Sequence, residues 1–383
     1  MPILAALAGL LVVLTGLVPW DAAQDVGSRT APVLGFLVAI TLVAELADEA
    51  GLFDVAARRA ALLGGGSTRR LFLLVCALAT VLTTVLSLDT TAVLLTPVVL
   101  ALAAAAEVDP LPFAYATVWL AGTASMLLPV SNLTNLLAGS ELHLSALGFA
   151  ARTWPAQVVL LVVTVGLLLV RHRARLRGTY ALPGEVVVED RVLLWTAGLV
   201  CVLTGPAVVA GAPAWTVALA GAVVLLAAYA VRRPGALAPR RLAGLLPWRL
   251  VLLTVGLFLV VEALHRHGLT TALRTVAGGS GDGALALLRL SGTSVVAANL
   301  VNNLPAYLAV EPLAHSTTRL LAVLVGVDAG PLVLLWGSLA TLLWRERCAA
   351  RGLRVGAGEF AREGLLLVVP AVGLGTLALL LTR

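Results

Sequence analysis

The chain has 383 residues, 60% hydrophobic and 12% charged, with a mean hydropathy of +1.02. A soluble globular domain carries about 25% charged residues, so a water-soluble fold is excluded and lipid must be the solvent for most of this surface. All 26 basic residues are arginine, and a chain without lysine cannot build the Gly-Lys-Ser/Thr phosphate loop of an ATPase.

A span takes roughly 20 apolar residues. Residues 3–19 give the first candidate. Ile3–Val18 lacks a basic leading region and an Ala-x-Ala site, so it reads as a span and not as a signal peptide. Residues 30–50 give the second. The next apolar stretch, 71–106, is too long for one span, and Ser87-Leu88-Asp89-Thr90-Thr91 divides it into arms too short to cross comfortably. Spans then follow at 113–138, 152–170, 192–210, 213–231 and 250–264. A second divided stretch, 283–314, is broken by Asn299-Leu300-Val301-Asn302-Asn303-Leu304-Pro305, and spans at 319–343 and 362–382 end the series. Polar breaks at membrane depth survive only when buried in protein or lining a cavity. Both divided stretches are therefore predicted to be re-entrant hairpins.

The net charge is +6 and the pI about 10.0. In a soluble domain that balance points to nucleic acid. Here the arginines fill short loops between spans, which is the positive-inside pattern, and no nucleic-acid partner is expected. If Arg58–Arg70 is cytoplasmic and both hairpins return to their own side, then Arg171–Arg177, Arg232–Arg249 and Arg345, Arg347, Arg351 and Arg354 are all cytoplasmic. Reading 71–106 as one crossing would put Arg171–Arg177 outside. The hairpin reading gives a multi-pass protein of the plasma (inner) membrane with its N-terminus in the cytoplasm.

Cys76, Cys201 and Cys348 are far apart in sequence and indicate neither a disulfide nor a metal site. Glu262-x-x-His265 has metal-ligand spacing on a helix, but Arg266-His267 reads as a loop, so no metal is predicted. Glu107 and Asp109 sit in a short loop and are expected to be solvated. Asn132-Leu133-Thr134 matches a glycosylation sequon, discounted at membrane depth. HExxH, paired-Asp and Ser/His signatures of intramembrane enzymes are absent, so a transporter without a cofactor is expected.

The halves resemble each other. Glu45-(x5)-Gly51-Leu52 recurs as Glu262-(x5)-Gly268-Leu269, followed each time by a hairpin and then a span broken by small polar residues. The breaks are Ser131-Asn132-Leu133-Thr134-Asn135-Leu136 and Gly337-Ser338-Leu339-Ala340-Thr341-Leu342. The hairpins open on opposite sides, an inverted repeat typical of secondary transporters. The expected fold is one all-α membrane domain, 1–383, with about nine full spans and two hairpins. Its parts are a first repeat at 30–170 (hairpin 71–106), connecting spans at 171–249 and a second repeat at 250–383 (hairpin 283–314).

Ser87-Leu88-Asp89-Thr90-Thr91-Ala92-Val93-Leu94-Leu95-Thr96-Pro97 resembles the hairpin tip of the ion transporter superfamily. Thr123-Ala124-Ser125 with Val130–Asn135, Val301-Asn302-Asn303-Leu304-Pro305, Gly326–Pro331 and Gly337–Trp344 resemble the arsenical pump membrane protein family, from about residue 30 to 380. The resemblance implies efflux of arsenite and antimonite, by proton exchange or as the channel subunit of a soluble ATPase, and a homodimer with a moving transport domain; a sodium/proton antiporter or small-anion carrier of the same superfamily is the alternative. The chain departs from that family's pattern at Leu88 (an Asn there), Gly122 (an acid) and Leu332 (a Lys), all expected near the site.

Arsenite at neutral pH is mainly an uncharged trihydroxide, so its site needs hydrogen-bond donors and acceptors. Ser131, Asn132, Thr134, Asn135, Asn302, Asn303, Ser338 and Thr341 supply them, beside Gly337. Thr90, Thr91 and Ser338 are also N-cap types, and half-helix N-termini add free N–H groups. Asp89 is the leading proton-coupling candidate, since an ionisable group at membrane depth is functional by default; it also disfavours a di- or tricarboxylate. Asp328 is the second. Glu45 and Glu262, at matching positions, are read as proton carriers or interfacial acids.

Overall fold

The computed structural model describes residues 2–277 and 281–382, which form helices and connecting loops. The first part runs α1 (Pro2–Leu14), α2 (Trp20–Glu49) and α3 (Leu52–Gly64), then a hairpin of α4 (Thr68–Val85), α5 (Leu88–Thr90), a π-helical turn (Thr91–Leu95) and α6 (Thr96–Ala105). α7 (Pro110–Thr123) and α8 (Leu133–Glu141) are the halves of a broken helix, followed by α9 (Ala146–Arg171). α10 (Arg191–Val209), α11 (Ala214–Arg232) and α12 (Pro239–Leu245) connect to α13 (Trp248–Arg266) and α14 (Leu269–Ala277). The second hairpin is α15 (Ala284–Val301) with α16 (Asn303–Val310), the second broken helix is α17 (Thr317–Ala329) with α18 (Leu339–Ala350), and α19 (Ala357–Ala378) ends the fold. Eight described helices are long and apolar enough to cross a membrane, or nine if the bent pair α13–α14 is one span.

Both hairpins return to the face they leave. Thr68 N donates to Gly178 O (3.2 Å) at the start of the first, and Asp109, just past its end, pairs with Arg175 at 2.8 Å. Both partners lie in the segment after α9. At the second, Arg319 Nη1 donates to Gly281 O (2.8 Å) and Ser316 Oγ donates to Asp282 Oδ1 (2.9 Å), joining entry to exit. The first hairpin's arms are longer than the sequence pattern suggests. Thr68–Val85 and Leu88–Ala105 have 18 residues each, about 27 Å. The Ser67 hydroxyl caps α4 by accepting from Arg70 N, which extends the helix through the interfacial arginines. Asp109 is not simply solvated either: it caps α7 through Leu111 N (2.9 Å) besides its ion pair.

The repeat is written in the backbone. Gly51 (φ +79°) ends the α2 run and starts α3; Gly268 (φ +98°) does the same between α13 and α14, which bend by 81°. A positive φ at each turn is what glycine tolerates and a Cβ does not. The first halves of the two broken helices, α7 and α17, are buried nearly all round and pack on each other at the centre. Such helices are apolar on every side. Leu199 and Val202 on α10 and Val223 on α11 face outward, while exposed Trp20, Trp195, Trp215 and Trp248 lie near helix starts, as in an interfacial aromatic belt.

The first segment differs from the reading of a span over 3–19. α1 stops at Leu14, about 20 Å long, against roughly 30 Å of hydrocarbon. The chain turns at Gly16 (φ +74°), and α2 begins at Trp20, ten residues ahead of the expected start. α1 packs closely on α13, where a Cβ on Gly9 would lie 2.8 Å from Gly256 Cα. Small residues allow such backbone approach between membrane helices. Gly9→Val is expected to overpack this crossing by about 1–3 kcal/mol. A thermal melt of the detergent-solubilised protein should show a lower midpoint; an unchanged midpoint would refute the contact.

Candidate substrate site where four helix starts meet

A small cavity of about 40 Å³ lies where both hairpin tips meet both helix breaks. Its wall carries Leu88 and Asp89 from the first tip, Asn132, Leu133 and Thr134 from the first break, Asn302, Asn303 and Leu304 from the second tip, and Ser338, Leu339 and Ala340 from the second break. Each group is the beginning of a helix. Four helix N-termini thus converge on one space, each with unsatisfied N–H groups and a partial positive charge. α2 and α13 close the other side with Leu37, Leu250, Leu253, Thr254 and Leu257. Asp89 is the one ionisable side chain on the wall among the described residues.

Local hydrogen bonds hold three of the four starts in place. Ser87 Oγ accepts from Thr90 N (3.2 Å) at the first tip, and Asn132 Oδ1 from Thr134 N (3.4 Å) at the first break. Ser338 and Thr341 form a reciprocal capping box, with Thr341 N donating to Ser338 Oγ (3.1 Å) and Ser338 N to Thr341 Oγ1 (3.3 Å). Asn302 sits at φ +91°, a left-handed conformation rare outside glycine. Such residues store on the order of 1–3 kcal/mol of strain and cluster at functional sites.

Asp89, Asn132, Thr134, Asn302, Asn303 and Ser338 line the cavity, and the other candidates lie behind it. Thr90 bonds the Ser87 hydroxyl (3.0 Å), and Thr91 accepts from Thr83 (2.8 Å), so Ser87 and not either threonine caps the tip. Ser131 donates to Thr84 O (2.8 Å), and Asn135 Nδ2 donates to Ser125 O (2.6 Å). Gly337 lets the second break fold on itself, since a Cβ there would be 2.6 Å from Pro331 O. Asp328 lies below the cavity and joins the halves: its Oδ1 accepts from Asn132 Nδ2 and Thr134 Oγ1, both at 2.8 Å, and its Oδ2 has no partner. Glu45 faces Arg347 near the arginine-rich end. Glu262 pairs with Arg266 (2.8 Å) in a separate, larger cavity. His265 bonds Thr270 Oγ1 (2.8 Å) and Leu308 O (2.9 Å).

Two residues tie hairpin to break without being site candidates in the sequence: Thr84, and Asn299 of the second polar tip. Asn299 donates to Gly330 O (2.8 Å) and accepts from Leu334 N (2.9 Å), while its own carbonyl takes the Trp336 indole N–H (2.9 Å). Thr84 does the equivalent in the first half, donating to Ala124 O (3.3 Å) and accepting Ser131. Each lies three residues before its tip, Ser87 or Asn302, so the repeat itself was the available signal.

A citrate transporter family (CitMHS) matches residues 1–341. The chain belongs to that family. Among its relatives, the arsenical pump membrane protein of Escherichia coli (strain K12) is 28% identical over 403 residues, covering 99% of this chain and 93% of that protein. The arsenical pump membrane protein of Yersinia enterocolitica is 28% identical over 371 residues, covering 90% and 85%. The Alcanivorax borkumensis YdaH transporter shares the fold, with a TM-score of 0.54 at 15% identity over 94% of this chain and 89% of that one. This member of the CitMHS family is therefore a multi-pass membrane transporter of the arsenical pump type, with two hairpins and two broken helices in inverted halves. Of Leu88, Gly122 and Leu332, Leu88 lines the cavity. Gly122 and Leu332 touch each other behind it, where a Cβ on Gly122 would be 3.1 Å from Leu332 Cδ1.

Asn299→Leu removes a donor and an acceptor while keeping the volume, leaving Leu334 N unsatisfied and Gly330 O with the Val333 N–H alone. A buried orphan costs about 1–3 kcal/mol. The variant should melt earlier and transport less, and wild-type behaviour in both assays would show that Asn299 does not hold the break.

Proposed function

We propose that the protein exports arsenite and antimonite across the cytoplasmic membrane in exchange for protons, with its arginine-rich loops in the cytoplasm. The observation that carries this reading is the ring of four helix starts around a single carboxylate. Backbone N–H groups and the amides of Asn132, Asn302 and Asn303 donate to substrate oxygens, while Asp89 and the Ser338 hydroxyl accept. A pyramidal trihydroxide presents both donors and acceptors and suits such a mixed wall. The cavity is small: one water needs on the order of 10–15 Å³ of such space, so about 40 Å³ fits a solute of a few heavy atoms and not a citrate. Asp89 would also repel a tricarboxylate.

Asp89 is the proton carrier in this reading, because it shares the cavity with the substrate. When Asp89 is ionised, its charge is balanced by the four N-termini; when protonated, it no longer competes for them. Asp328 is the second proton site, linked to the cavity through Asn132 and Thr134. Asn135 and Ser131 support the same wall from behind.

The test is arsenite accumulation in everted vesicles, with and without an imposed proton gradient. Wild-type uptake should require the gradient. Asp89→Asn is expected to lose at least about tenfold in gradient-driven uptake while staying folded in the membrane, on the scale of losing a charge-assisted hydrogen bond. Full retained activity would remove Asp89 from the coupling step.

A further inference from the structure

The cavity wall is divided by origin. Hairpin tips and helix breaks supply its polar side, and α2 and α13 supply four leucines. Thr254 of α13 is the single polar side chain in that apolar half. Its residue is fully buried, and its hydroxyl has no hydrogen-bond partner.

That orphan needs a reason. A threonine inside a helix normally satisfies its hydroxyl on the carbonyl four residues back. Thr41, Thr80, Thr204 and Thr293 do so here, at 2.7–2.8 Å. Thr254 makes no such bond to Leu250. A buried hydroxyl left unpaired costs about 1–3 kcal/mol, whereas valine would fill the same shape without that cost. Nothing in the α1 or α2 packing uses the group. Thr254 lines the same cavity as Asp89 and the four helix starts, and that cavity is where a polar partner could reach it.

We infer that Thr254 is a substrate-contact residue: its hydroxyl bonds an oxygen of a small hydroxylated solute that the helix starts hold from the opposite side. This rests on the proposed arsenite export. The ring alone engages the solute from one side. Thr254 gives the remaining hydroxyl a partner that both donates and accepts, so it favours a trihydroxide over an apolar solute of the same size. Dry leucines around it exclude competing water and strengthen the bond.

The test compares wild type, Thr254→Val and Thr254→Ser in everted vesicles with arsenite and an imposed proton gradient, beside thermal melts of the purified proteins. Thr254→Val should raise KM about three- to tenfold with a melting midpoint equal to or above wild type, and Thr254→Ser should keep the wild-type KM. Uptake by wild type with an unchanged KM in Thr254→Val would overturn the contact and leave the export reading intact. A lower midpoint with a normal KM would make the hydroxyl structural and also overturn it. No wild-type uptake would overturn the export reading and this contact with it.

Discussion

A helix that starts in the middle of a membrane carries N–H groups that lipid cannot satisfy. Here four helices start at that depth, and their beginnings are gathered into one place. The hairpins and breaks are the means of bringing them there. Ser87, Asn132 and Ser338 each take one N–H by a side-chain bond; Thr84 and Asn299 brace the loops behind. What remains open to the cavity is a surplus of donors and positive potential, which is the raw material of an oxygen-binding site.

The halves are alike in backbone and unlike in charge. Where the first tip has Leu88-Asp89, the second has Asn302-Asn303. One carboxylate therefore faces four partial positive ends on the wall, and the second acid, Asp328, is held out of the cavity by Asn132 and Thr134. Those bonds cross from the second repeat to the first. A change of protonation at Asp328 would be felt first at the start of α8, because both donors to its Oδ1 belong to that helix start.

Much of this was legible in the sequence because membrane depth makes polar residues informative. The tips at Ser87–Thr91 and Asn299–Pro305, the two breaks and the paired glycines all stand out against leucine and alanine. Asp89, Asn132, Asn303 and Ser338 could be placed together for that reason. Thr90, Thr91, Ser131 and Thr341 look the same in sequence as residues facing the cavity, yet their hydroxyls bond other hydroxyls or backbone behind it, a distinction carried by rotamer and register rather than composition. Thr254 was hidden differently: one threonine in the apolar run Leu250–Val255 reads as an ordinary lipid or core position, and only its missing partner marks it. The short α1 was concealed because apolar residues continue past the Gly16 turn.

The Gly9–Gly256 crossing has a consequence for how the protein is made. α1 leaves the ribosome ahead of the surface it is shaped to fit, by about 250 residues of chain. Closing a contact over so long a stretch of chain is slow, since the loop entropy comes before the reward. α13 thus completes the position of α1, and two stretches far apart in the chain are joined by a pair of residues with no side chains at all.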